Sequence, residues 1–213
     1  MKNWVAWHGS YDDPSSSLSA RLRQVQLRLS EAISQAPAGR IRLLSLCAGQ
    51  GRDVIGVLPA HPRRDDVTAV LVESDPDNAR VASQHAASAA LPQVEVRVAD
   101  ASRAASFADA LPADVLLLCG IFGNISEQEI RQTVAAAPAL CAAGATVIWT
   151  RHRRPPDLTA RLRAWFAENG FDEVAFDALA TRALTSVGVH RLRHAPAGPP
   201  PSGPLFTFRP APD

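Results

Sequence analysis

The amino-acid sequence predicts an α/β fold with a mostly parallel sheet, and two features of the chain carry this prediction. Short apolar runs alternate with alanine-rich helical stretches from residue 41 to about residue 194. The middle of each run is apolar enough for a strand that is buried on both faces. With 213 residues, of which 46% are hydrophobic and 20% charged, the chain is long enough to form one well-buried core.

The N-terminal segment combines aromatic residues with an amphipathic helix. Trp4, Trp7, His8 and Tyr11 precede a serine cap and a run of apolar residues at helical spacing, namely Leu18, Leu22, Val25, Leu29 and Ile33. A proline and a glycine then end the helix. We interpret residues 1–38 as a helical lid over a ligand site, and the alternative is that the tryptophans only bury the helix against the domain.

Five apolar runs are the predicted parallel strands. In chain order they read IRLLSLC, VTAVLVE, VEVRVAD, ADVLLLCG and ATVIWTRH. Between the last two, Ser126 and Glu129 have the spacing of a capping box and predict a helix that runs on to Gly144. Pro138 is expected to distort the last turns of that helix.

The pattern changes after the fifth run. DLTARLRAWFAENGF is typical of a helix that ends at Gly170, and DEVAFDAL and TSVGVHRLRH are predicted to pair as antiparallel strands. Residues 195–213 form a tail rich in proline and glycine, in which LFTF is a candidate edge strand. The core domain is therefore expected to span residues 39–194.

Composition excludes several classes of protein. The formal net charge of +1 provides no general basic field, so a nucleic-acid partner is not expected. Cys47, Cys119 and Cys141 lie in apolar runs without the spacing of a disulfide framework or a metal site. The N-terminus lacks the apolar core of a signal peptide, and no window approaches about 20 uninterrupted apolar residues. We expect a cytoplasmic protein with no membrane partner, and we leave a homodimer open.

Two glycines interrupt the chain where the first predicted strand meets a helix. In the segment LLSLCAGQGRD, Gly49 and Gly51 leave the main chain bare at the positive end of that helix. Missing side chains let a ligand approach the backbone closely. The competing interpretation is a tight strand-to-helix turn with no ligand.

Acidic residues follow the next two strands. Glu73 stands about twenty residues after the glycines, where an acid in such folds accepts hydrogen bonds from two ribose hydroxyls. Asp75 is placed to cap the following helix. Asp100 and the Ala101 amide follow the third strand and have the polarity to bind the edge of adenine, although Asp100 would also serve as a cap. Together the three strand ends predict an adenosine site.

With these motifs, the sequence from Ile41 to about His194 resembles class I S-adenosylmethionine-dependent methyltransferases. The resemblance implies a Rossmann-like, seven-stranded sheet with helices on both faces and the last strand antiparallel. The family turn reads acid-x-Gly-x-Gly-x-Gly, and here Ser45 replaces the acid and Cys47 the first glycine. The segments CAGQGRD, VESDP and CGIFGN resemble most closely a bacterial group within the family. This closer resemblance does not indicate a substrate.

The resemblance also implies site residues. S-adenosylmethionine (SAM) would lie against the turn, the two acidic strand ends and the segment after the fourth strand, at Cys47, Ala48, Gly49, Gly51, Asp53, Glu73, Ser74, Asp100, Ala101, Cys119 and Gly120. S-adenosylhomocysteine (SAH) would be the product. The acceptor would contact residues further along the same edge, namely Phe122, Asn124 and Arg151. No metal is implied.

Three residues are candidates for acid-base or contact roles. His8 and Tyr11 are the polar members of the aromatic segment, and His152 lies in the basic run TRHRRPP after the fifth strand. That run either steers an anionic substrate or forms a solvated face. Sulfonium chemistry does not require a dedicated base for every nucleophile, so these assignments depend on the acceptor.

The sequence therefore predicts a SAM-dependent methyltransferase that modifies the O, N or C atom of a small molecule. A nicotinamide dehydrogenase is disfavoured because Val54 stands where its turn requires a third glycine. Two alternatives keep the donor site. One is a SAM-binding protein without transfer activity, and the other is an enzyme that transfers a different group or closes a ring.

Overall fold

Seven strands form a single sheet in the computed structural model, which describes Tyr11 and residues 13–194, 198–200 and 202–208. The strands are β1 (Ile41–Leu46), β2 (Val67–Glu73), β3 (Val94–Val98), β4 (Ala113–Leu118), β5 (Cys141–His152), β6 (Phe171–Ala178) and β7 (Thr185–Leu192). The α-helices are α1 (Ser17–Gln35), α2 (Arg52–Val57), α3 (Pro76–Ser88), α4 (Glu127–Leu140) and α5 (Thr159–Glu168). The aromatic residues before Tyr11, His8 included, lie outside the described residues.

The sheet confirms the predicted topology. Its strand order is β3-β2-β1-β4-β5-β7-β6, with β7 antiparallel to both of its neighbours and the other pairs parallel. The chain winds outward from β1 to β3 and then returns to β4 on the other side of β1. Ligands of open α/β sheets bind at such a switch point, beside the carboxyl ends of the strands.

Helices cover both faces of this sheet. The apolar sides of α1, α2 and α3 pack with β1 and β2 on one face, and Leu29, Val54 and Ala82 are buried there. On the other face α4 and α5 pack through Val134 and Phe166. Helix α1 is therefore part of the core.

Side-chain caps fix the starts of three helices as the sequence predicts. The Ser16 hydroxyl accepts from the Ser19 amide at 3.0 Å, and Ser126 and Glu129 form a reciprocal capping box. Asp75 accepts from the Asp77 and Asn78 amides ahead of Pro76, the first residue of α3. These contacts place the carboxyl ends of β2 and β4 directly before turns of defined geometry.

Two predicted elements are wrong. Helix α4 ends at Leu140 instead of continuing to Gly144, and β5 begins at Cys141. Gly144 has a φ of 76° inside β5, where the register to β4 shifts, so it accommodates an irregularity in the strand. The segment LFTF forms no strand, because the Leu205 amide donates to the Ser102 carbonyl and the Leu205 carbonyl accepts from the Thr133 hydroxyl. Leu205 and Phe206 are instead anchored in the core.

Along the described ranges, no helix combines the length and apolar character needed to cross a membrane. The same residues contain no group of three or more His, Cys, Asp or Glu side chains arranged to hold a metal ion.

An aromatic stack fills the core between α5 and the antiparallel end of the sheet. The rings of Trp149, Phe166 and His190 lie within 12° of parallel, and His190 is only 4.4 Å from Phe166 between centroids. Gly188 faces Trp149 in register, and a Cβ at Gly188 would lie 2.2 Å from the indole ring. Burial lowers the pKa of His190 to about 4, so this imidazole is neutral at physiological pH.

We predict that His190 makes the fold sensitive to acid. Its pKa is lower in the folded chain than the ordinary 6.5, so the unfolded chain binds the additional proton and stability falls as the pH drops from about 6.5 to about 4. At pH ~4.5 this loss amounts to about 2.5 kcal/mol. Urea unfolding of the wild type and of His190→Phe at neutral and acidic pH should show a smaller acid loss in the variant. An equal loss in both proteins would contradict the assignment.

Candidate functional site

A cavity of about 580 Å³ opens at the carboxyl ends of β1, β2, β4 and β5. Turns after these strands form one wall, and the start of α1 and the segment before β7 form the opposite wall. This is the switch point of the sheet, where strand order reverses between β1 and β4. The volume lies within the range of roughly 300–1,000 Å³ that small-molecule and cofactor sites occupy.

The two glycines of the first turn have different tasks. Gly49 lines the cavity with a φ of 58°, a left-handed conformation that favours glycine. Gly51 has a φ of 66° but does not line the cavity. A Cβ on Gly51 would lie 2.7 Å from Ile55 Cδ1 and 2.8 Å from Leu71 Cδ2. Gly51 therefore lets α2 pack closely on β2, and only Gly49 brings a bare main chain to the cavity.

Cys47 stands at the position of the first glycine of the family turn and has the backbone conformation that favours glycine. Its φ is 57°, so a residue with a side chain adopts the left-handed conformation directly after β1. The half-buried side chain lines the cavity and packs against the core, and burial raises the pKa of the thiol. Cys47 is thus a neutral, strained wall of the cavity.

Glu73 connects the end of β2 to the turn after β1. Its carboxylate accepts from the Gly49 amide at 2.7 Å through Oε2 and from the Asp75 amide at 2.8 Å through Oε1. The side chain lines the cavity although the residue is only 8% exposed. Each carboxylate oxygen has a second lone pair, so Glu73 has capacity for a hydroxyl donor in the cavity.

Other residues predicted to bind the methyl donor line the cavity near Gly49 and Glu73. Ala48 and Ser74 line the cavity beside Glu73, and the Ala48 amide donates to the Val72 carbonyl. Cys119 and Gly120 line it from the end of β4. The Gly120 amide donates to the Thr150 hydroxyl at 2.9 Å, which ties that end to β5.

Besides Gly51, three predicted residues lie away from the cavity wall. Asp100 is exposed and accepts from the Ser102 amide at 2.9 Å, and Ala101 is buried in the core. Neither lines the cavity, so the adenine contact stays a prediction. Phe122 is fully buried and packs edge-on against Trp149. The acceptor role of Phe122 likewise stays a prediction.

Tyr11 and Asp53 face the cavity beside the first turn of α2. The Tyr11 hydroxyl accepts from Arg21 Nη2 at 2.6 Å, and burial raises the pKa of the phenol. Burial also raises the pKa of Asp53, although hydrogen bonds from backbone amides and the charge of Arg21 act to lower this pKa. Both side chains are therefore shifted toward their protonated forms.

His152, Asn124 and Arg151 line the cavity at the carboxyl ends of β4 and β5. Burial lowers the pKa of His152, helped by the charges of Arg151 and Arg154, and its buried Nδ1 makes no hydrogen bond with the described residues. Asn124 Nδ2 donates to the Gly120 carbonyl at 2.6 Å, and Arg151 Nη1 donates to the Phe122 carbonyl. His152 is the cavity-lining imidazole that the sequence predicts, held in its neutral form.

Several lining residues were not predicted. They include Arg21, Gln50, Arg52, Asn78 and Phe208, whereas Arg154 belongs to the basic run that the sequence predicts at this edge. Gln50 and Asn78 are nearly inaccessible polar residues next to the turn and to the Asp75 cap, and that proximity was an available signal. Arg21 stands one turn into α1 on the side of Leu18, whereas no local pattern places Phe208 of the tail at this cavity.

We predict that glycine is tolerated unusually well at position 47. At ordinary positions glycine is less stable than alanine by about 0.5–1 kcal/mol, but a φ of 57° penalises any Cβ by a similar amount. Cys47→Gly should therefore be at least as stable as Cys47→Ala in urea unfolding, and the β-branched Cys47→Val should be the least stable. A Gly variant clearly below the Ala variant would contradict the strained conformation.

Comparisons with known proteins identify the fold. No family model and no curated protein matches this sequence. A magnesium protoporphyrin IX methyltransferase from Synechocystis PCC 6803 with bound SAM has a TM-score of 0.70 and 12% identity, over 90% of this chain and 92% of that chain. An RNA methyltransferase from Salinibacter ruber in complex with SAH has a TM-score of 0.56 and 18% identity, over 82% and 91%.

A third structure is an O-methyltransferase family protein from Burkholderia thailandensis, with a TM-score of 0.61 and 16% identity. The match covers 84% of this chain but only 59% of the Burkholderia chain. Identities of this size show the fold alone. The chain therefore has the Rossmann-like fold of the class I SAM-dependent methyltransferases.

Proposed function

We propose that this protein is a SAM-dependent methyltransferase that acts on a small-molecule acceptor. SAM would occupy the half of the cavity around Gly49, Glu73 and Gly120, and the acceptor would lie toward Tyr11 and His152. In this proposal residues 1–38 cap the site, residues 39–194 form the catalytic domain, and residues 195–213 are an accessory tail. A cytoplasmic location and a homodimer are expectations from the sequence.

The contact between Glu73 and Gly49 carries the proposal. The buried Glu73 carboxylate accepts a hydrogen bond from the amide of Gly49, a residue with a left-handed backbone conformation. The carboxylate oxygens can accept further hydrogen bonds beside an uncovered main chain, at the switch point of the sheet. A ribose diol requires two acceptors in this position, and Glu73 meets that requirement. The polarity of this part of the cavity thus suits the ribose of an adenosine-containing ligand.

SAM supplies a methyl group that its positive sulfur activates for in-line attack. The residues of this chain must then bind the donor, orient the nucleophile and exclude water. Cys47 and Cys119 line the cavity with protonated thiols, because burial raises the pKa of each. A protonated thiol is a weak nucleophile, so Cys47 and Cys119 would not compete with the acceptor for the methyl group.

His152 is the best placed base for an acceptor that loses a proton. A neutral imidazole accepts a proton, and the lowered pKa of His152 keeps it neutral at physiological pH. Tyr11 is protonated under the same conditions, because burial raises the pKa of its phenol. We therefore assign proton acceptance to His152 and a positioning role to Tyr11. His8, outside the described residues, stays a prediction.

Product analysis separates this proposal from its rivals. Incubation of the protein with labelled SAM and a panel of amines, phenols and acids should yield SAH and a methylated product. Methylthioadenosine as the product would indicate transfer of another group. SAM binding without turnover of any acceptor would favour a sensor or partner subunit.

We predict that Glu73→Gln weakens SAM binding at least about tenfold, because an amide group replaces one of two charged acceptor oxygens. Calorimetry with SAM, SAH and NAD would measure the affinities. Asp77→Asn is the matched control, since Asp77 lies four residues away on α3 with its side chain 72% exposed. The control should bind like the wild type.

Thermal unfolding of Glu73→Gln distinguishes lost binding from lost folding, because Glu73 also holds the turn after β1. A folded Glu73→Gln protein with unchanged affinity for SAM would remove Glu73 from the site. Preference for NAD over SAM in the wild type would refute the proposed function.

We predict that His152→Gln lowers turnover of a proton-losing acceptor by about 10² or more. In the wild type the rate should rise with pH below 6.5, as His152 loses its proton, and then level off. The variant should lack this rise. His85→Gln on the exposed side of α3 is the control. A pH profile that His152→Gln leaves unchanged would exclude the imidazole as the base.

A further inference from the structure

Strand β3 is an outer edge of the sheet. It pairs with β2 on one side, and along the described ranges no strand pairs with its other side. An open edge presents backbone N–H and C=O groups that can pair with a further strand. The edge of β3 is therefore a surface to which another strand can be added.

The hydrogen bonds to β2 show which residues of β3 face outward. The Ala69 amide donates to the Gln93 carbonyl at 3.0 Å, and the Ala99 amide donates to the Glu73 carbonyl at 3.0 Å. Successive residues of a strand direct their backbone groups to opposite sides, so the odd-numbered residues here face β2. The even-numbered residues direct their amides and carbonyls away from the sheet, and these are Val94, Val96 and Val98.

Most of the outward backbone groups are available for pairing. The Val94 amide donates to the Leu91 carbonyl at 3.1 Å, which leaves the Val94 carbonyl. The amides and carbonyls of Val96 and Val98 make no hydrogen bond with other residues that the structure describes. The edge is thus short, regular and open at its centre.

An apolar groove lies beside this edge, on the face of the sheet that α3 covers. The groove has a volume of about 370 Å³, and its lining includes Ala86 of α3 and both Val94 and Val96. Val98 lies on the same face, because alternate residues of a strand share a face, and it is 61% exposed. The edge therefore has an exposed valine at one end and an apolar groove at the other.

The other face of β3 carries one acid and one base. Arg97 Nε donates to Glu95 Oε1 at 2.7 Å, and Arg97 Nη2 donates to Asp109 Oδ2 at 2.7 Å. The Glu95 side chain is 58% exposed beside the open edge. The two charges stand symmetrically about Val96, so this edge is complementary to a second copy of itself in antiparallel orientation.

We propose that two copies of this chain pair antiparallel through β3, with Val96 on the twofold axis. In this register the two Val96 residues exchange hydrogen bonds, and each Val98 amide donates to the Val94 carbonyl of the second copy. The exposed Val98 of one copy then lies beside the groove of the other. The two sheets become one continuous sheet, and this inference does not depend on the proposed function.

The same register brings opposite charges together. Glu95 of one copy faces Arg97 of the other, at a pair without backbone hydrogen bonds between its members, where side chains of neighbouring strands lie closest. Opposite charges at such a pair stabilise a sheet, and like charges destabilise it. Each Arg97 would thus lie between the Glu95 of its own strand and the Glu95 of the second copy.

The opposite edge of the sheet, β6, is not suited to a second copy. Its register to β7 shifts between Glu173 and Ala175, and such a bulge protects an edge from pairing. The charged residues of β6 are all acidic, so self-pairing would bring like charges together; they are Asp172, Glu173 and Asp177.

The first test is the oligomeric state of the full-length protein in sedimentation velocity. Strand pairing over this length buries less than the roughly 800 Å² per partner of a standard interface, so we expect a reversible dimer with a Kd on the order of 10–100 μM. A wild type that stays monomeric up to about 500 μM, well above this range, would overturn the proposal.

A proline at position 98 tests the edge itself. Val98→Pro removes an amide that does not bond to β2, and it should weaken association at least about tenfold. Val98→Thr is the matched control, because it keeps the amide and a β-branched side chain, and it should stay within about threefold of the wild type. Thermal unfolding of both variants checks the fold. Dimerisation that a folded Val98→Pro protein retains at wild-type strength would overturn the proposal.

Charge reversal tests the register. Glu95→Arg and Arg97→Glu each create like-charged pairs in the proposed dimer, so each variant alone should associate at least about tenfold more weakly than the wild type. An equimolar mixture of the two should form heterodimers, because every pair across the axis is then of opposite charge. A mixture that associates no better than the separate variants would overturn the proposed register and, with it, the proposal.

Hydrogen exchange identifies what covers the edge. The Val96 and Val98 amides should exchange rapidly in dilute protein and slow at least about tenfold when the dimer is populated. Protection that is the same at every concentration would mean that another segment of the chain, or a co-purified peptide, occupies the edge. That result would overturn pairing with a second copy.

Discussion

The contact on which the site depends is the hydrogen bond between the Gly49 amide and the Glu73 carboxylate. It links the turns after two neighbouring parallel strands, β1 and β2, at the point where the sheet reverses its order. A carboxylate that is 8% exposed needs compensating donors, and the Gly49 and Asp75 amides supply them. The turn and the acid therefore stabilise each other, and the cavity wall is formed before any ligand binds.

The fold could be predicted from the sequence where local chemistry decides the outcome. Short runs with apolar residues in their middles predicted the five parallel strands, and the caps at Asp75 and Ser126 predicted helix starts. Gly144 misled the prediction, because a glycine with positive φ serves a helix stop and a strand irregularity equally well. Which of the two it serves depends on pairing with β4, a contact that sequence spacing does not encode.

The same limit applies to the site. Glu73 was identified because strand ends in a parallel sheet meet at one edge, so its position along the chain suffices. The different roles of Gly49 and Gly51 depend on how Ile55 and Leu71 pack around Gly51, which the sequence pattern alone does not show. Arg21 reaches the cavity through the three-dimensional approach of α1 to the segment before β7, and Phe208 reaches it because the tail is anchored at Leu205.

Helix α1 contributes both to the core of the fold and to the wall of the cavity. Its Leu29 and Ile33 are inaccessible to solvent in the core, while Arg21 of the same helix lines the cavity. Gln26 donates to the Arg52 carbonyl, and a Cβ on Gly56 would lie 2.3 Å from Gln26 Nε2. Helix α1 is therefore held against α2, and α1 cannot move without disturbing the core.

Burial has opposite consequences for the titratable groups of the cavity and for its arginines. Desolvation raises the pKa of Tyr11 and Asp53 and lowers that of His152, so each of these groups shifts toward its neutral form. A guanidinium does not lose its proton in a protein, so it retains its charge under the same desolvation. Closing the site over its ligands would exclude more water, neutralise the former groups further and strengthen the field of the latter.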